Sequence, residues 1–129
     1  MAIIKFENGK NGIYNVMGKQ ADGSFKAGSD GGLNPSELLE ASLALCISLN
    51  MRAMFDRDGV LTDDTVLVIE TKGEKDPGGA NRFHKYEITV QFPEGFDEEY
   101  KKKAMIIAER SCTISNTIIN SAEVHVREY

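Results

Sequence analysis

Cysteine is scarce in this chain, with only Cys46 and Cys112 among 129 residues, far apart in sequence. That excludes a C-x-x-C redox pair and a four-cysteine zinc site. The two histidines, His84 and His125, lie in alternating stretches and read as exposed strand-face residues. Two histidines and two distant thiols do not assemble the three or four converging ligands of a zinc or iron centre, so no metal is expected. Positive charge is also in deficit. Fifteen basic residues against twenty acidic ones leave a formal net charge of −5, the opposite of a phosphate-backbone binder, and no nucleic-acid partner is expected. No long hydrophobic run occurs: the most apolar stretch, residues 41–51, includes Ser42, Ser48 and Asn50 and falls short of the ~18–20 residues of a bilayer span. The first residues carry no basic, apolar leader, so no membrane association and a cytoplasmic location are expected. The glycine-rich residues 28–32 lack phosphate-loop spacings, and there is no G-x-S-x-G elbow.

What is present suits one domain over residues 1–129, since 41% apolar residues suffice for one core. Residues 2–6 and 13–17 read as strands flanking Asn8-Gly9 and Asn11-Gly12, dipeptides that tolerate the positive φ of hairpin turns. A third short strand is expected over residues 24–26. Asn34, Pro35 and Glu37 together mark a helix start, as N-cap, first-turn proline and capping-box acid. This helix should run to residue 57, ended by Asp58-Gly59. Its uncharged middle is apolar in nearly every direction, which predicts a helix enclosed on most sides. Strands are expected over residues 65–71 and 82–92, the latter alternating Tyr86, Ile88, Val90 and Phe92 with Lys85, Glu87, Thr89 and Gln91. A second helix opens after Pro93, a short third helix starts at Ser111-Cys112, and residues 122–127 alternate as a final strand. The order β-β-β-α-β-β-α-α-β makes an α+β chain, and so apolar a central helix in so small a domain predicts an obligate homodimer.

Two readings of the thiols stay open. Cys46 lies about three turns inside its helix, out of reach of that helix's own terminal dipole, so a neighbouring cation would be needed to acidify it. Leu39, Ser42, Asn50 and Ala53 share its side at about 100° per residue, leaving room and hydrogen-bonding capacity beside the sulfur. Cys112 falls at a helix start, where open N–H groups lower a thiol pKa, with Arg110 close by. Either both are inert buried thiols, or they form a cycling pair in which a peroxide oxidises one to a sulfenic acid and the second closes a disulfide.

The run Asn34-Pro35-Ser36-Glu37-Leu38-Leu39, ending at Cys46, and the downstream Cys112-Thr113-Ile114-Ser115-Asn116-Thr117 resemble the OsmC/Ohr family of thiol-dependent peroxidases. The resemblance implies an intertwined homodimer with long crossing helices, and cofactor-free reduction of small organic hydroperoxides by an external dithiol reductant. It places Cys46 at the peroxidatic position and Cys112 at the resolving one. The family adds an arginine from the N-terminal strands and a glutamate near the start of the central helix. Here no arginine precedes Arg52, and Lys26 stands at the usual offset. Ser36 occupies the glutamate position with Glu37 one residue on, where nine positions put it on the helix face opposite Cys46. Lys26 is therefore expected as a thiolate partner, with Ser36, Glu37, Ser42 and Arg110 in support. The alternative is an OsmC-like binding or stress-response module with slow or no peroxidase turnover.

Overall fold

The computed structural model describes residues 1–24 and 31–128. The chain forms two compact units, Met1–Ala41 and Ser42–Tyr129. In the first, strands β1 (Ile3–Glu7), β2 (Lys10–Asn15) and β3 (Gly18–Gly23) form an antiparallel meander in the order β1-β2-β3. Asn8 and Gly9 close the first hairpin with φ of 53° and 74°, the double positive φ that matches the twist of the flanking strands. The second turn lies at Val16-Met17, where the Met17 N–H donates to Asn15 Oδ1 at 2.8 Å. Asn11-Gly12 is therefore strand and not turn, a correction to the sequence expectation. At Gly12 the missing side chain makes room for the Tyr14 ring, since a Cβ there would lie 2.6 Å from Tyr14 Cε2. The third strand likewise ends at Gly23, ahead of the expected residues 24–26, of which residues 25 and 26 lie outside the described residues.

Helix α1 runs Pro35–Arg57, as its start and stop signals predict. The Glu37 N–H donates to Asn34 Oδ1 at 2.8 Å and the Asn34 N–H donates to Glu37 Oε1 at 3.1 Å, a reciprocal capping box. At the far end Gly59 takes φ 73°, and the amides of Val60 and Gly59 fold back to Phe55 O and Asp56 O, satisfying carbonyls the helix leaves open.

The second unit holds the core. Strands β4 (Val68–Lys75) and β5 (Phe83–Gln91) pair antiparallel, followed by α2 (Glu98–Arg110) and α3 (Thr113–Ile119). Residues 65–67, expected as strand, instead follow a turn in which the Thr62 N–H donates to Thr65 Oγ1 at 2.9 Å. Leu43, Ile47, Met51, Met54 and Phe55 of α1 are buried with Ala104, Ala108 and Cys112, and Tyr86, Ile88, Val90 and Phe92 pack against them. Phe55, wholly buried, sits among Phe96, Tyr100 and Phe92 with ring centroids 4.9, 6.1 and 6.4 Å away. Tyr100 donates its hydroxyl to Asp58 Oδ2 at 2.7 Å, joining α2 to the end of α1. Burial and this carboxylate push the phenol up to about 12.

By length and composition alone α1 is long and apolar enough to cross a membrane, but its buried row belongs to the protein's own core. One expectation changes. Residues 122–127 form no strand: Val124 and Val126 are 85% and 94% exposed. Alternation encodes two faces, but a strand exists only where an edge offers hydrogen bonds to pair with it.

Candidate active site

The fold brings the two sequence-distant thiols together. Cys46 sits on α1 at the border between its buried row and its open side, and is half-buried; Cys112, fully buried, ends the link from α2 and caps α3. The Cys112 Sγ accepts the Ser115 N–H at 3.3 Å. Cys112 is thus itself the N-cap. The two thiols are free and within hydrogen-bonding reach of each other.

Their acidities diverge for a structural reason. Burial pushes the Cys46 thiol up, but the N–H groups of Ile114 and Thr113 and the Cys112 thiol donate to its sulfur, and the net displacement is below the ordinary value. Burial pushes Cys112 up, and donation to Cys46 holds its proton further, against the opposing N–H groups of Ser115 and Ile114. The helix start expected to acidify Cys112 alone is therefore shared: Thr113 and Ile114 act on Cys46, Ser115 and Ile114 on Cys112, and at Cys112 burial outweighs them. Sequence reasoning considered only the ends of Cys46's own helix and missed that another helix begins over the sulfur. The available signal was the C-x-x-S spacing, since the first N–H groups of any helix need outside acceptors.

The other expected residues scatter. Lys26 lies outside the described residues. Glu37 is engaged in the capping box with Asn34, and Ser36 is in the same first turn of α1, partly exposed. Ser42 lies one turn before Cys46 on the same side. Arg110 is exposed in the last turn of α2, its carbonyl accepting from Asn116 Nδ2 at 3.2 Å. Asn50 does not turn its amide to the sulfur: its Nδ2 donates to Ala108 O at 3.1 Å. His84 rests on Glu74 O and His125 on Glu123, both exposed. Among the described residues no three His, Cys, Asp or Glu side chains gather to hold a metal ion. A cleft of about 700 Å³ runs between β5, α2 and α3, floored by Leu43, Ile47 and Met51, and neither sulfur lines it.

An α+β chain with a long core helix carrying one thiol, and a second thiol capping a short helix against it, defines a dithiol protein. The model of the OsmC-like protein family matches residues 28–127, and the chain belongs to that family. Among solved structures, it is similar to an OsmC-like protein from Mycoplasma pneumoniae (13% identity, TM-score 0.71, covering 94% of this chain and 86% of that one). It is also similar to OhrB, the organic hydroperoxide resistance protein of Bacillus subtilis (18% identity, TM-score 0.58, 94% and 92%). A third is an organic hydroperoxide resistance protein OsmC from Legionella pneumophila (19% identity, TM-score 0.58, 92% and 88%). At these identities the likeness is one of fold. No curated protein matches.

Proposed function

We propose that the protein is a cytoplasmic, single-domain thiol peroxidase that reduces organic hydroperoxides with Cys46 and Cys112. The observation that supports this most is the split in acidity between two adjacent sulfurs, Cys46 displaced down and Cys112 up. The Cys46 thiolate attacks one oxygen of the O–O bond. The bond breaks, the alkoxide leaves and takes a proton as an alcohol, and Cys46 becomes a sulfenic acid. A neutral sulfenic acid no longer draws the Cys112 proton, so one cause of the raised Cys112 pKa disappears at the moment that thiol must react. Cys112 then displaces water from the oxidised sulfur, forming the disulfide, and an external dithiol restores both thiols. In this reading Lys26 is carried over from the family resemblance alone as the cation that would partner the thiolate.

Intact mass after one equivalent of an organic hydroperoxide tests the assignment. The expected result is loss of two hydrogens, replaced in Cys112→Ser by gain of one oxygen. An unchanged mass, with melting temperature raised by the peroxide, would favour the binding module instead.

The reading includes a homodimer closing over α1. Leu39, Leu45 and Leu49 leave 39%, 59% and 50% of their surface open, and Cys46 borders this open side. Exposed apolar rows of this kind mark interaction surfaces. Sedimentation velocity should show a dimer for the natural chain and a monomer for Leu45→Glu combined with Leu49→Glu, because two unpaired carboxylates cannot be buried there.

A further inference from the structure

The contact between Asn50 and Ala108 stands in a revealing place. Asn50 is one turn past Cys46 on the same side of α1, and Ala108 is one turn before Cys112. In a continuing helix the Cys112 N–H would reach Ala108 O, but it bends to Glu109 O at 3.2 Å, and the Ser111 N–H reaches Ile107 O. Ala108 O is thus among the carbonyls that a helix end leaves open, and Asn50 Nδ2 donates to it. α2 is capped by a side chain of α1. Everything the dithiol site needs from the far side follows within six residues of that carbonyl: the Cys112 sulfur and the Thr113 and Ile114 N–H groups that donate to Cys46.

We propose that Asn50 is the positioning residue of the dithiol site, clamping the end of α2 so that Cys112 and the first turn of α3 are held over Cys46. It touches no reacting atom and acts through the Ala108 carbonyl. The inference rests on the dithiol reading, but needs no peroxide chemistry. An apolar side chain at residue 50 would fill the space without holding the helix end; an amide does both, and leaves no buried carbonyl unpaired.

The test is thiol–disulfide equilibrium with glutathione. The reduced protein and oxidised glutathione exchange to give the Cys46–Cys112 disulfide and two reduced glutathiones, so electrons and protons balance. Asn50→Ala should lower this equilibrium constant roughly 5-fold, the size one net hydrogen bond carries. In a Cys112→Ser background, the pH midpoint for iodoacetamide alkylation of Cys46 should rise in Asn50→Ala, because the α3 N–H groups are no longer held over the sulfur. Asn50→Gln, which keeps an amide on a longer arm, should recover part of both effects. Tyr100→Phe, which loosens α2 at its other end, should leave both unchanged. An unchanged constant in Asn50→Ala overturns the proposal, as does an equal fall in Tyr100→Phe or a natural chain that forms no such disulfide. A protein that follows the expected glutathione pattern yet consumes no peroxide keeps the positioning role and loses only the peroxidase reading.

Discussion

Cys46→Ser is expected to reduce dithiol-dependent consumption of an organic hydroperoxide by at least about 100-fold, the order of loss when the nucleophile of a covalent mechanism is removed. The thiolate is the reacting species, and serine at this position offers no comparable anion near neutral pH. The N–H groups of Ile114 and Thr113 and the Cys112 thiol outweigh burial at Cys46. The single-turnover rate in the natural chain should therefore rise with pH through a midpoint below that of an ordinary thiol and then level off, while Cys112, raised by burial, stays protonated across the same range. Stopped-flow thiol oxidation between pH 5 and 9 reads both. A Cys46→Ser protein that turns over as fast as the natural chain would remove Cys46 from the chemistry.

Phe55→Ala should cost about 3–5 kcal/mol of unfolding free energy, the range for truncating a buried aromatic. Phe55 is wholly buried where α1 meets α2 and the sheet, against Phe96 edge-on at 4.9 Å and against Tyr100 and Phe92. Truncation removes the ring and leaves a cavity that several rigid neighbours cannot jointly fill. In guanidinium the midpoint should fall with little change in slope, and the melting temperature should drop by roughly 10 °C or more. A loss under about 1 kcal/mol would mean that the aromatic cluster repacks, and that the end of α1 is less constrained than its burial indicates.

The elements most legible in the sequence are those written in local chemistry. Asn34, Pro35 and Glu37 announce the start of α1, and Asp58-Gly59 its end, because caps are satisfied by residues within one turn. The alternation of Tyr86, Ile88 and Val90 marks β5 for a similar reason. Errors fall where two local signals compete or a partner is needed. Asn8-Gly9 and Asn11-Gly12 are equally good turns on paper, and which of them bends the chain depends on the register in which β1 meets β2. Residues 122–127 alternate as well as any strand, but hydrogen bonds to an edge are a property of the pair.

The site divides in the same way. That the chain has two thiols, one deep in an apolar helix and one at a helix start, belongs to the amino-acid order alone, because position along a helix and the spacing of a cap are local. That α3 N–H groups serve Cys46 as well as their own cap was decided only by tertiary packing: α3 begins over α1, so Thr113 and Ile114 meet Cys46 while Ser115 donates to Cys112 at the helix start. Charge and dipole act through space, and no reading of neighbours along the chain could assign that donation to one sulfur over the other.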